Sequence, residues 1–330
     1  MRMQSSPIRY SLLAIRAALM AAALAALPAS AQTYPSRNIT IVVGYAPGGT
    51  GDFIARIVAN KLAEKFNRTV VVENRAGASG AIAAQFVINS APDGHTILAG
   101  QTPEMAINPH FLKGHLDIER DLVPIALGGV VPLALVVPKD APWSTVPELL
   151  KAAQSGKGLL FASAGTGTPG HFAGEVLKLA SHGNMTHVPY KGASPALADL
   201  LGSHVDFYFP GFPAALPFVK NNQMKMLAVS TARRAATAPE MPTVSEAAGI
   251  KDFDFSLWGG FNAPRGTPAA VVTQLNAAIN EVLALPDLKA KMAEAGADII
   301  PMSVDEFAAF TKRESEKYQR IIQETGIKPE

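Results

Sequence analysis

The chain has 330 residues, 29 basic against 27 acidic, and no cysteine, which excludes a disulfide framework, a cysteine-ligated metal, a thiol nucleophile and a lipid anchor on an N-terminal cysteine. A balance this near neutrality makes no electrostatic case for nucleic acid or an anionic membrane surface, both of which need clustered Lys and Arg. The length lies where single cores stop growing, so two domains of ordinary size are expected.

At the start, Arg2, Arg9 and Arg16 flank an apolar run over 17–27, and Ala29, Ser30 and Ala31 fit a signal-peptidase site. This pattern predicts a secretory leader cleaved after about Ala31 and a periplasmic protein. Without the three arginines of the leader, 26 basic residues face 27 acidic ones, a net charge of −1, so the whole-chain pI of about 8.7 does not describe the exported form. No later stretch reaches the roughly 18 apolar residues of a membrane helix.

Strand-like and helix-like runs then alternate. Residues 38–45 (NITIVVGY) read as strand, 52–66 as a helix with Phe53, Ile54, Ile57, Val58, Leu62 and Phe66 on one stripe, and 69–74 (TVVVEN) as strand. A helix over 78–90, a turn at 92–94 (PDG) and a strand over 95–101 follow. Short βα turns between such elements predict a parallel sheet covered by helices. The same order returns after Pro132: strands at 133–138, 158–165, 185–190, 205–210 and 224–231, with helices at 145–155, 169–181, 194–202 and 213–221. Thr243 and Glu246 fit a capping box. Residues 255–264 (FSLWGGFNAP) form an extended crossing segment, and the tail from Pro268 is helical, ending in an amphipathic helix from about Val304 to Glu324.

The turn APGGTGD joins the first strand to the first helix. Gly48 and Gly49 permit positive φ and close approach, and Thr50 or Asp52 can cap the helix that follows. The first N–H groups of a helix lack internal partners and carry about half a positive charge, so an anion is the natural occupant. No lysine follows in the Walker position, and the spacing does not meet G-x-G-x-x-G, which leaves a small carboxylate or oxyanion rather than a nucleotide. The second half carries an echo, SAGTGTPG, where Thr168 and Pro169 make an N-cap and N1 pair, and Ser163, Gly165 and Thr166 supply hydroxyls and N–H groups. Either turn alone reads as an ordinary tight βα connection. Two in matching places predict a ligand clamped between domains.

Other candidates are weighed against plainer roles. Asp52 beside an anion would repel it, so capping and orienting the turn, with Arg56 as its partner, is the plainer reading. His171, in the first turn after Pro169, is a packed neutral imidazole or a ligand contact. Gln101 and Thr102 form a further wall by position, Tyr190 and Lys191 precede another helix start, and Tyr45, Tyr208 and Trp258 are either an aromatic lining or packing. The seven histidines show no H-E-x-x-H spacing, so neither metal nor cofactor is expected.

Taken in order, YPSRNITIVVGYAPGGTGDFIARIVANKL, VVVENRAGASG, PDGHTIL, GTPGHFAGE, HVPYKGASPALADLLGSHVD, MPTVSEAAG and WGGFNAPRGTPAAVV resemble the motif series of the Bug-type solute receptors of tripartite tricarboxylate transporters. The resemblance runs from Tyr34 to the C-terminal helix. It implies an α/β, two-domain type II periplasmic-binding-protein fold with an interdomain ligand cleft. Domain 1 would be 32–129 plus 257–330 and domain 2 would be 130–256, with crossings near Leu127–Val131 and Leu257–Ala263. It also implies a ligand held by backbone N–H groups and hydroxyls of the two turns, without an arginine clamp, and permease subunits as membrane partners of a monomeric receptor. The family often carries an acid or amide where this chain has Pro210 and Gly211, which removes a partner for a ligand ammonium. The ligand-binding set expected is therefore Tyr45, Gly48, Gly49, Thr50, Asp52, Gln101, Thr102, Ser163, Gly165, Thr166, Thr168, His171, Tyr190, Pro210 and Trp258, closing on a dicarboxylate, tricarboxylate or aromatic acid.

Two other readings compete. A ligand-loaded signalling partner of a membrane sensor would share the pocket. A secreted serine hydrolase needs G-x-S-x-G, which neither GASGA nor GASPA meets, so no enzyme is expected.

Overall fold

A computed structural model of the protein describes residues 34–111, 117–156, 158–235 and 238–328. The leader and its cleavage point lie outside the described residues. From Ile39 the first βαβαβ run consists of β1 (Ile39–Val43), α1 (Thr50–Phe66), β2 (Val70–Asn74), α2 (Ala81–Ile88) and β3 (Thr96–Gln101). Ile39, Ile41, Val42 and Val43 are all buried, as a strand covered on both faces must be. α1 stops at Asn67, which adopts the left-handed conformation with φ 47°.

After β4 (Leu122–Pro132), the chain builds a second sheet from β5 (Ala134–Pro138), α3 (Val146–Gln154), β6 (Leu159–Ser163), α4 (Pro169–Ser181), β7 (Met185–Pro189), α5 (Ala193–Leu201), β8 (Phe207–Tyr208), α6 (Phe212–Lys220) and β9 (Met224–Val229). It returns through β10 (Ser256–Pro264) and ends in α7 (Ala269–Leu283), α8 (Pro286–Glu294) and α9 (Val304–Thr325). The expected capping box at Thr243 and Glu246 is present, and Ser303 with Glu306 forms another that starts α9.

The strand order is β2-β1-β3-β10-β4 in the first sheet and β7-β6-β8-β5-β9 in the second. Both sheets are mixed, where short βα turns predicted parallel ones. The pairs β1/β2, β1/β3, β6/β7 and β6/β8 run parallel, but β10 is antiparallel to β3 and β4, and β5 to β8 and β9. β5, where the chain enters the second sheet, and β10, where it returns to the first, arrive from the far end and so run backwards. β4 carries Pro124, Pro132, Gly128 and Gly129, which hid it as a strand; it lies at a sheet edge, where proline is tolerated.

Three segments are tied together where the chain passes between the sheets. The Leu133 N–H donates to Ser230 Oγ at 2.9 Å, and Ser230 Oγ donates to the Phe255 carbonyl. Ser230 also exchanges backbone hydrogen bonds with Leu133 and Phe255. A buried serine therefore holds both crossings at one point. On the outer side, α9 covers β10: Trp258, fully buried, stands edge-on to Phe307 and Phe310 and anchors that layer through its large apolar area.

Candidate ligand-binding site

The first turn is shaped by Asp52 from below. Gly48 adopts φ 88°, but Gly49 has φ −83° and serves as the N-cap of α1 with no side-chain capping bond. Of the two glycines expected at positive φ, only Gly48 has it. Asp52 does not cap the helix either. Its carboxylate accepts from the Gly48 N–H (3.0 Å), from Arg56 Nε (2.9 and 3.0 Å) and from Asn74 Nδ2 (2.9 Å), and Asn74 Nδ2 also donates to the Tyr45 carbonyl. Burial opposes its ionisation, but Arg56, the Gly48 N–H and Asn74 outweigh it and hold the carboxyl below its ordinary value. Asp52 thus orients the turn, with its charge spent on Arg56, and with Gly48 it borders a separate groove.

The second turn is shaped by stacked histidines. Thr168 is the N-cap of α4 and Pro169 its first residue, as expected, yet Thr168 Oγ1 donates to the Gly165 carbonyl (2.7 Å) instead of capping. His171 Nδ1 accepts from the Gly167 N–H (3.3 Å), and the His171 ring stacks on His187 at 4.0 Å between centroids. Burial, then the neighbouring His187, pushes His171 down to about 3; burial, then Lys178, pushes His187 down to about 4. Both rings are neutral at physiological pH, and His171 is a packed support rather than a cavity wall. Ser163 Oγ lies 2.6 Å from His187 Nε2 and also bonds both polar groups of Gly165. This serine is fully buried, and its bonds hold the turn.

The two turns meet at one narrow cavity of about 40 Å³, room for a water or two and smaller than an open small-molecule site. From the first sheet come Tyr45, Gly49, Thr50, Gly51, Gln101 and Pro103; the second brings Ala164, Thr168, Pro169, Ala193, Tyr208 and Phe209 among others, and Leu133 and Leu257 enter from the crossings. Among the described residues, no Lys, Arg, His, Asp or Glu lines it. Thr50 Oγ1 is buried there with no hydrogen-bond partner. The packing is close: a Cβ on Gly211 would stand 2.1 Å from Thr50 Oγ1, and one on Gly51 would stand 2.3 Å from the Gln101 amide carbon.

Of the expected set, Tyr45, Gly49, Thr50, Gln101 and Thr168 line this cavity. Gly165, Thr166 and Tyr190 border an adjoining one that shares Tyr45 and Ala164 and has the exposed Lys191 at its rim. The Tyr190 hydroxyl is committed to Asp199 (2.6 Å). Four residues stand behind the walls. Thr102 Oγ1 accepts from the Trp258 N–H (2.9 Å), the Trp258 indole donates to Glu314 (3.1 Å), the Pro210 carbonyl accepts from Ala134, and Ser163 is fixed by His187. Leu133, Leu257, Phe209 and Gly211 were missed: the crossings show in sequence, but which of their side chains turn inward depends on strand register.

A family profile described as "Tripartite tricarboxylate transporter family receptor" matches residues 54–327. The chain belongs to that family. Among curated relatives, a protein from a Pseudomonas species, named for the tcbD-tcbE intergenic region, is 38% identical over 292 residues, covering 88% of this chain and 87% of its own. Protein BugT of Bordetella pertussis is 32% identical, covering 96% of this chain and 98% of its own. Among solved structures, R. palustris Rpa4515 with adipate superposes with TM-score 0.87 at 31% identity, covering 90% of this chain and all of the other. MatC from Rhodopseudomonas palustris with bound malate gives 0.81 at 28%, covering 88% and 100%, and periplasmic binding protein BugD gives 0.84 at 30%, covering 90% and 100%. The family is one of periplasmic solute-binding receptors, not an enzyme family, and the expected two-domain α/β binding-protein fold is borne out.

Proposed function

We propose that this protein is an exported periplasmic receptor that closes on a small carboxylate and delivers it, as a monomer, to the permease subunits of a tripartite tricarboxylate transporter. The observation that carries the reading is one cavity receiving two helix starts, from different sheets, neither capped by a side chain, beside the unpartnered Thr50 hydroxyl. Backbone N–H groups at a helix start suit an anion. Four charge-assisted hydrogen bonds at about 1.5–3 kcal/mol each give roughly 6–12 kcal/mol before the cost of closure. Micromolar affinity, about 8 kcal/mol, is then reachable with no arginine clamp.

The lining favours a carboxylic acid over an amino acid, because among the described residues no Asp or Glu lines the cavity to pair with an ammonium. Its apolar walls, Leu133, Leu257, Phe209 and Pro103, suit an aliphatic or aromatic chain between polar ends. Two structural neighbours hold adipate and malate, which supports the same class here. The lobes we propose are 32–129 plus 257–330 and 130–256; β4 and β10 belonging to the first sheet, with β5 to β9 forming the second, supports that division. The contacts we propose are the cavity-lining members of the expected set, with Gly165, Thr166 and Tyr190 at the adjoining end.

The test is a thermal-shift screen of residues 32–330 against dicarboxylates, tricarboxylates, aromatic acids and amino acids. A true ligand at 100 times its Kd adds about 2.7 kcal/mol of stability. The expected result is a shift with a carboxylic acid and none with amino acids; a flat response to every carboxylate sinks the reading.

A further inference from the structure

Behind the cavity lies one acidic side chain that the site as described does not use. Glu104 sits on the single wide turn Pro103–Ile107 and is 1% exposed. Its Oε1 accepts from the Gln101 N–H at 2.9 Å, and its Oε2 lies 3.2 Å from the Tyr45 hydroxyl. Gln101 and Tyr45 both line the cavity. The back of the carboxyl is closed by Gly80, where a Cβ would fall 2.5 Å from Oε2.

No cation pairs with Glu104 among the described residues. Of the segments packed around it, that of Tyr45 brings one titratable group, the phenol, while Ala78–Gly80 and the end of β3 bring none. On α9, Glu314 pairs with Lys317 and accepts from the Trp258 indole, and His110 is bonded to Ser315. The carboxyl's proton is therefore governed by burial, which raises its titration, against hydrogen bonds from the Gln101 N–H, its own N–H and the Tyr45 hydroxyl, which lower it.

We propose that Glu104 is a positioning residue whose proton sets the direction of the Tyr45 hydroxyl, so that the cavity takes up a carboxylate with Glu104 neutral and loses affinity when it ionises. The inference rests on the carboxylate reading above. With Oε1 occupied by an N–H, the acid proton of neutral Glu104 resides on Oε2 and donates to Tyr45 Oη. The phenolic hydrogen is then free to donate into the cavity. On ionisation the phenol must donate to Oε2, its lone pairs face the ligand, and a negative charge stands one side chain behind them. Above the titration of Glu104, ligand binding takes one proton from solution, which ends on Oε2. Burial pushes Glu104 up to about 8, and burial together with Glu104 pushes Tyr45 well above its ordinary value, so the acid exchanges its proton while the phenol keeps its own.

The experiment is calorimetric titration with adipate, succinate and malate between pH 6 and 9.5, in buffers of different ionisation enthalpy. The wild-type Kd should be level up to about pH 8 and then weaken towards tenfold per pH unit, with proton uptake approaching one. Glu104→Gln, whose amide donates to Tyr45 Oη at every pH, should bind with no such slope. Tyr45→Phe, which removes the relayed hydrogen bond and serves if the first variant does not fold, should bind weakly already at pH 6 and with a much shallower slope, set only by the charge of Glu104. A wild-type Kd that is level throughout, or the same slope in a folded variant, overturns this inference alone. No binding of any probe at any pH overturns the carboxylate reading and this inference with it.

Discussion

Thr50 shows how a single atom can separate stability from binding. A buried hydroxyl without a partner costs about 1–3 kcal/mol, and Thr50 Oγ1 has none among the described residues. Thr50→Val keeps the shape and removes the unsatisfied oxygen. Its expected outcome is a melting temperature equal to or above wild type and a carboxylate affinity lower by about 5–10-fold, or about 1–1.4 kcal/mol. Calorimetry and differential scanning on the same sample decide it; unchanged affinity removes Thr50 from the contact set. Thr50, Gln101 and Thr168 were legible in the sequence because they sit at strand ends or helix starts. Glu104 was not: it is a lone acid in an apolar stretch, and its meaning comes from Tyr45, 59 positions away.

The two turns look alike in sequence but are held by different chemistry. The first rests on an Asp52–Arg56–Asn74 clasp, a charged network at the edge of solvent. The second rests on two stacked neutral imidazoles, and this pair should make the second turn acid-sensitive. An unfolded histidine titrates at its ordinary value of about 6.5, whereas the folded ones titrate at about 3 and about 4. The unfolded state binds protons first, so this stability is complete above about pH 6.5 and is lost as pH falls through the folded values, by at most about 1.4 kcal/mol per pH unit per histidine. Glu104 acts with the opposite sign: its folded value is raised, so its contribution is complete below the ordinary carboxyl range and lost as pH rises towards about 8. Denaturation midpoints from pH 7 to 4 should therefore fall more steeply for wild type than for His187→Gln, which keeps a donor for Ser163 without the titration. Parallel profiles would rule out the histidine pair as the cause.

Across the whole molecule, two side-chain hydrogen bonds among the described residues link segments of the first sheet to segments of the second. Ser194 Oγ, at the start of α5, donates to the Pro47 carbonyl in the first turn at 2.8 Å, and Ser79 Oγ donates to the Thr166 carbonyl in the second. Each is a single neutral hydrogen bond of about 1 kcal/mol, enough to bias closure without locking it. Ser194→Ala should leave the melting temperature nearly unchanged, raise the ligand Kd about 3–5-fold through a faster off-rate, and widen the ligand-free particle in small-angle scattering. Equal off-rates would show that this bond does not hold the cleft. By itself the sequence determined the βα rhythm, the two glycine-rich helix starts and the capping box at Thr243, since each depends on residues within one or two turns of chain. The tertiary structure alone decided that both sheets are mixed, that Leu133 and Leu257 enter the cavity while Trp258 turns away, and that Glu104 stands behind Tyr45. Those facts depend on strand register and on which distant segments share a buried, low-dielectric space, and no local pattern of residues encodes that.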